Sequence, residues 1–452
     1  MKEISEPARV TPVVAETDVL VVGSGPGGLA AAISSARAGV ETMIVERYGC
    51  FGGNLTHVGV EGIAWYRQNG TVDVEGIGIE FEERAKRFGS SGPEPQSLSH
   101  AINGEMFKVV ADNWIIESGI RPLLHSLAVD VIRDGRSLRG IIVQNKSGRQ
   151  AILARRIIDA TGDADIAHLA RVPIKKTPKE EMLSVTVMFS CAGVNKGRFL
   201  QYVKENPQTY KDWGKNWAMK TDGKEDDLFS PYLEQPFDQA RATGVIPSGL
   251  KSIGGTWSLI NERGEATYLN MVHMLQYDGT DVNDLTSGEI EGRRQALLAI
   301  KALQHFAPGF ETATLRNFGM TIGIRDTRKI IGRYCLREQD VRGQARFDDA
   351  IGIFPEFIDG YGVLVLPTTG RYYHVPYGAL VPSGVDNLLV AGRSVAGDQI
   401  SHASVRNMMC CTVTGQGAGV AAAVSVKKGV STAAVPIEDI QRELKRQGVR
   451  FV

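Results

Sequence analysis

Cysteine is scarce: five residues in 452, with none of the two- to four-residue spacings that zinc sites use. A disulfide framework is therefore excluded, and the cytoplasm is the expected compartment. Cys410 and Cys411 are adjacent. On the helix expected there they point to different faces, so we read them as small packing residues rather than a redox or metal pair. Excess charge is also missing. Lys plus Arg number 51, Asp plus Glu number 51, and the formal net charge is zero. That excludes the basic footprint of a nucleic-acid binder. No apolar run is expected to be long enough to cross a bilayer. Residues 1–14 are polar with two prolines and lack the apolar centre of a signal peptide.

What the sequence has in abundance is glycine, 51 residues, against a usual share of roughly 7%. No collagen-like period accompanies it. The glycines gather at turns, above all in Gly23-Ser24-Gly25-Pro26-Gly27-Gly28. Residues 18–22 (DVLVV) before this cluster are apolar and β-branched, the pattern of a buried parallel strand. Residues 29–38 after it are alanine-rich and end at Gly39, the pattern of a helix. Residues 42–45 form a second apolar strand ending in Glu46.

Gly23-x-Gly25-x-x-Gly28 thus follows a strand and opens a helix within a β-α-β unit. The chemistry explains the spacing. The first glycine makes the tight turn, the second lets a diphosphate approach the backbone, and the third packs helix on strand. The diphosphate then meets unpaired N–H groups at the positive end of the helix. Glu46 is positioned to accept hydrogen bonds from ribose hydroxyls. This fingerprint serves FAD and NAD alike.

Further along, residues 105–118 read as a helix, and residues 127–154 alternate as a β-meander turning at Asp134-Gly135 and Ser147-Gly148. A separate strand is expected over 156–160. Residues 195–245 are polar, aromatic and helical in texture, with a charged stretch at 221–227. Residues 257–274 read as strands. A long helix over 286–306 is expected to open with a Thr286-x-x-Glu289 capping box. After Pro376 the dinucleotide-fold texture returns, with a strand over 387–391 and an Ala/Gly-rich helix over 415–423. The expected architecture is α/β. A Rossmann-like dinucleotide domain, a parallel sheet with a β-meander, is built from 15–180 and 376–452, and an inserted α+β substrate domain spans 181–375.

Three further segments resemble FAD-dependent flavoproteins of the glutathione-reductase-like and fumarate-reductase-like superfamily. They are Glu46-Arg47 leading to Gly52-Gly53-Asn54-Leu55-Thr56, then Asp159-Ala160-Thr161-Gly162, and Asn387-Leu388-Leu389-Val390-Ala391-Gly392-Arg393 with Gly415-Gln416-Gly417-Ala418-Gly419. Arg325-Asp326-Thr327-Arg328 and Val375-Pro376-Tyr377 narrow the likeness to the FAD-dependent oxidoreductase family. The resemblance implies bound FAD, a Gly-Gly turn running along it, and a C-terminal helix whose N-terminus faces the flavin. It implies cofactor contacts at Gly23, Gly25, Pro26, Gly27, Gly28, Glu46, Arg47, Gly52, Gly53, Asn54, Thr56, Ala128, Ala160, Thr161, Gly162, Gly392, Arg393, Ser404, Val405 and Arg406.

The chain departs from disulfide reductases of that superfamily: Leu55 and Val60 stand where a cysteine pair would follow the Gly-Gly turn. No second G-x-G-x-x-G follows a strand, so no built-in NAD(P)H domain is expected. Electrons would pass to O2, to a separate redox partner, or to and from NAD(P)H bound without its own fold. His57 and Cys50 lie near the expected flavin path, but we expect non-covalent FAD. The candidate catalytic residues are Arg325 and Arg328 as carboxylate or enolate clamps, and Tyr373, His374 and His402 as acids or bases. The expected function is hydride transfer between a small organic substrate and flavin N5, as a dehydrogenase, oxidase or C=C reductase. Flavin monooxygenase and electron-transfer subunit are the alternatives. No metal, nucleic acid or membrane span is expected, and self-association is left open.

Overall fold

The computed structural model describes residues 3–63, 66–68, 71–72, 74–93, 99–206, 218–220, 232–367 and 370–452. The charged stretch at 221–227 lies outside them. The first strand, β1 (Val13–Val22), feeds helix α1 (Pro26–Arg37) and returns as β2 (Thr42–Val45). After α2 (Gly104–Glu117) come β3 (Arg121–Leu123), β4 (Leu127–Asp134), β5 (Ser137–Asn145) and β6 (Gly148–Asp159). These strands form one sheet in the order β3-β2-β1-β6-β5-β4. The C-terminal strand β7 (Leu388–Val390) adds in parallel on β6.

The meander and the parallel sheet share a strand. Residues 156–160 were expected as a strand of their own. Instead β6 is a single strand: residues 148–153 pair antiparallel with β5, and residues 151–159 pair parallel with β1. No turn residue interrupts Ala151-Ile152-Leu153-Ala154-Arg155-Arg156, so nothing breaks the extended run.

Residues 19–22 of β1 are covered on both sides, which is why they read as a continuous apolar run. Val19 and Val21 join the core beneath α1, whereas Leu20 and Val22 join a second layer with Ile141, Ile152 and Ile157. Helix α1 lies against α3 (Met408–Lys428). A Cβ at Gly415 would fall 2.0 Å from the Gly27 carbonyl oxygen, and one at Gly419 would fall 2.1 Å from Ser34 Oγ. The Gly415–Gly419 cluster was expected at a helix N-terminus. It sits mid-helix because its function is close helix contact. By length and composition α3 is apolar enough to cross a membrane, contrary to expectation, but nearly all of it is buried inside the protein.

A separate core lies under the antiparallel sheet that includes Phe189–Ala192, Ile253–Thr256, Ala266–Met274 and Thr314–Phe318. The helix Val282–Phe306 covers it through Ala296, Ala299, Ile300 and Leu303. This helix starts four residues before the expected capping box. Asp281 caps it, accepting from the N–H of Asn283 at 2.8 Å. Glu289 is thereby freed to accept from Thr321 Oγ1 and Ile322 N.

Candidate active site

In the order β3-β2-β1-β6, β2 and β3 lie on one side of β1 and β6 on the other, so the strand order switches there and a crevice opens beyond the carboxyl ends of β1 and β6. A cavity of about 1070 Å³ begins there and runs to the antiparallel sheet of the separate core. At its first end it is lined by Gly23, Gly25, Pro26, Gly27, Glu46, Arg47, Gly53 and Asn54, with Ala128, Ala160, Thr161, Gly162, Gly392 and Arg393 around them.

The start of α1 is built for an anion. Its first turn carries no acidic residue and no side chain caps it. Pro26 occupies a position where a missing N–H costs nothing. A Cβ at Gly25 would meet only Gly53 Cα, at 3.9 Å, so main chain faces the cavity directly. Glu46 is 5% exposed. Its Oε2 accepts from Ser24 N at 2.9 Å and Ser24 Oγ at 2.7 Å, which ties the end of β2 to the glycine turn. Asp159 fixes the neighbouring loop, accepting from Thr161 N, Thr161 Oγ1 and Ala167 N. Burial pushes its carboxyl up to about 6. Arg393 lies on Gly162 and pairs with Asp163 at 2.7 Å. Its buried Nε has no hydrogen-bond partner among the described residues. An open helix end, an acid at the tip of β2 and a glycine-lined floor fit a dinucleotide diphosphate and ribose.

The other end of the cavity carries charges of both signs, with Arg325 and Arg406 beside Asp359. Arg325 lines it and donates to Ser184 O at 2.8 Å, to Ser184 Oγ at 3.2 Å, and towards His273 Nδ1 at 3.5 Å. Burial, reinforced by the charge of Arg406, pushes this guanidinium down to about 10. His273 donates Nε2–H to Asn270 O, and burial beside Arg325 pushes its pKa down to about 3. It is therefore neutral. Arg406 also lines the cavity and pairs with Asp359 at 3.1 Å, while its buried Nε has no hydrogen-bond partner among the described residues.

Several residues singled out from sequence stand elsewhere. Gly28 packs on the Gly23 carbonyl, not on the cavity. Gly52 crowds Thr56, and Thr56 donates to Phe51 O and lines a smaller cavity of about 110 Å³. Ser404 and Val405 face inward; Ser404 Oγ bonds Tyr373 OH at 2.9 Å in the core. Tyr373 is fully buried by that bond. His374 is held between backbone groups of Phe347 and Phe451. Arg328 is drawn to Asp165 and to the Asp163 carbonyl. His402 is 1% exposed and donates Nε2–H to Arg325 O. None of these nine residues lines the large cavity. His57 does line it, with Nε2–H donating to Cys50 O at 2.8 Å. Sequence reasoning missed Ser184, Tyr268, Asn270, His273, Asp359 and Tyr361, which all reach the cavity.

A family model described as FAD dependent oxidoreductase matches residues 18–444. The chain belongs to the FAD-dependent oxidoreductase family. FAD is thus the cofactor, and the protein is an enzyme of this family. Among curated relatives, the thiamine thiazole synthase of Archaeoglobus fulgidus is 31% identical over 175 residues, 36% of this chain and 63% of that enzyme. That of Methanococcus aeolicus is 32% identical over 163 residues, 34% of this chain and 57% of that enzyme. The chain thus spans less than two thirds of the length of these relatives. Among solved structures, a geranylgeranyl bacteriochlorophyll reductase-like protein of Thermoplasma acidophilum is 13% identical with a TM-score of 0.49, covering 96% of this chain and 83% of that one.

Proposed function

We propose that this enzyme transfers hydride between a small carboxylic acid and N5 of its FAD, oxidising the acid at a carbon that bears a hydroxyl or amine. The observation carrying this reading is the state of Arg325. It faces the cavity, it is buried, and its hydrogen-bond partners are a serine and a neutral histidine rather than a carboxylate. Asp359 is near enough to act on Arg325 but is bonded to Arg406, so no carboxylate among the described residues fills the Arg325 fork, and a buried fork left open is costly unless an anion completes it. A substrate carboxylate matches its planar fork in bidentate fashion. Ser184 and His273 hold the fork in place. His273, being neutral, adds no second charge that would compete for the same anion.

Bound FAD supplies the two-electron acceptor. The chain orients the acid by its carboxylate and keeps water from the reacting carbon with the apolar lining of Ile253, Leu364, Leu366 and Met409. The test is anaerobic mixing of the holoprotein with a panel of 2-hydroxy acids, 2-amino acids and their methyl esters, following bleaching of the flavin band. Free acids should bleach it and esters should not. In Arg325→Met, the Kd of the best acid should rise about 10- to 100-fold, in keeping with about 1.5–3 kcal/mol for a charged hydrogen-bonded pair. Bleaching by esters as readily as by acids, or, in a parallel turnover under labelled O2, product carrying oxygen from O2, would sink this reading.

A further inference from the structure

The oxidation needs a group to take the proton that leaves the hydroxyl or amine as hydride departs. Of the groups so far described at this end of the cavity, Asp359 is engaged by Arg406, and the others do not serve. Arg325 has no lone pair to offer. His273 spends Nε2–H on Asn270 O and turns Nδ1 towards Arg325. His57 spends Nε2–H on Cys50 O.

One hydroxyl stands apart. Strand Ile358–Gly360 pairs with Val363–Val365, Gly360 opposite Val363, so Tyr361 and Gly362 alone make the turn. Both have positive φ, 53° and 74°. This is the signature of a I′ hairpin turn, whose first position usually takes Asn, Asp or Gly. Tyrosine there is held in the left-handed region at a cost, and such residues cluster at functional sites. The turn puts Tyr361 in the cavity wall. Its hydroxyl donates to Oδ2 of Asp326. Asp326 is 1% exposed, and its other oxygen accepts from Thr177 Oγ1 at 3.1 Å and from Lys329 Nζ. Lys329, 2% exposed, also donates to Thr177 Oγ1 at 3.0 Å. A buried carboxylate and a buried ammonium thus stand behind Tyr361, a residue of the cavity wall.

We infer that Tyr361 is the proton-exchanging residue of this active site and that Asp326 and Lys329 act through it. The inference rests on the proposed oxidation of an acid. As the substrate C–H bond breaks, its electron pair and hydrogen pass as hydride to flavin N5. The substrate O–H or N–H proton moves to Tyr361 Oη, while the phenol's own proton moves to Asp326 Oδ2. A C=O or C=N bond forms, the substrate loses two electrons, the flavin gains them, and the proton is taken up by the hydrogen-bonded Asp326–Thr177–Lys329 group. The phenol need never become a free phenolate, because it passes on one proton as it takes another. Asp326 and Lys329 are positioning residues, whereas Tyr361 touches substrate.

Asp326→Asn leaves Lys329 buried opposite a neutral amide and is prone to misfold, so the deciding variant is Tyr361→Phe. It keeps the ring, and Asp326 keeps Thr177 and Lys329. Wild type and Tyr361→Phe, both holding FAD, are mixed anaerobically in H2O and D2O with whichever acid of the panel above bleaches the wild type. The Kd of that acid is read separately from its perturbation of the flavin spectrum. The expected result is a bleaching rate constant about 100-fold lower in the variant, an unchanged Kd, and loss of the wild type's slowing in D2O. Equal bleaching rates, or a Kd that weakens as much as the rate, would overturn the relay and leave the proposed oxidation standing. If no acid bleaches the wild type, the proposed function falls and the relay with it.

Discussion

Gly25 and Gly28 stand three residues apart in one turn and carry different burdens. A Cβ at Gly28 would lie 2.0 Å from the Gly23 carbonyl oxygen, inside the fold. A Cβ at Gly25 has nothing nearer than 3.9 Å and projects towards the cavity. Gly25 also has ordinary backbone angles, φ −61° and ψ 179°, which any residue adopts. Gly25→Val should therefore fold and lose its flavin, because the new methyl groups take the space of the diphosphate. Gly28→Ala should lose stability whether or not flavin is present. The check is the visible spectrum of each purified variant beside its unfolding midpoint without cofactor. A fully yellow Gly25→Val would mean that the diphosphate lies elsewhere.

At the scale of elements, the α1–α3 contact carries the greatest local risk. Gly415 touches the Gly27 carbonyl on the same turn that faces the cofactor. Gly415→Ala should force the helices apart and cost roughly 1–3 kcal/mol, the usual penalty for overpacking a tight contact. It should weaken flavin retention as well, because Gly27 moves with α1. Urea unfolding and a flavin-release titration on the same preparation check both; a loss of stability with full flavin affinity would separate helix contact from cofactor site. The β-α-β unit was legible in the sequence because its signals are local: strand, glycines, helix and acid follow one another within 30 residues. The end of the cavity at Arg325 was not. Asn270 and His273 look like any residues of a strand until Ala266–Met274 finds its sheet partners. Tyr361 was hidden because a tyrosine in a Gly-Tyr-Gly turn gives no sign of the carboxylate, 35 positions away, that it meets. His402, Tyr373 and His374 misled in the opposite sense. Their residue types suit proton transfer, but burial against backbone or serine occupies them.

For the molecule as a whole, the cores are joined by buried ionisable groups, and these set its response to acid. His273 is held down to about 3 by burial and Arg325, and His402 to about 3 by burial and Lys329, each against 6.5 for an ordinary histidine. A group whose pKa is lowered by folding contributes stability that is full above the unfolded value and is lost as pH falls towards the folded one. Below 6.5 the unfolded chain gains two protons that the native histidines refuse. Asp159 works the other way. Its carboxyl is raised from 3.8 to about 6, so its contribution is full below 3.8 and is lost as pH rises through about 6. Between about pH 4 and pH 6 the histidines should outweigh it two to one. Replacing both histidines by glutamine should remove about 2.7 kcal/mol per pH unit from the slope of stability in that window, at about 1.36 per proton. Asp159→Asn should steepen the slope by about half as much. Urea unfolding of each variant across that window reads the slopes directly. An unchanged slope in the double histidine variant would mean that these side chains take up protons without unfolding, and hence that the joint between the cores opens to water in the native state.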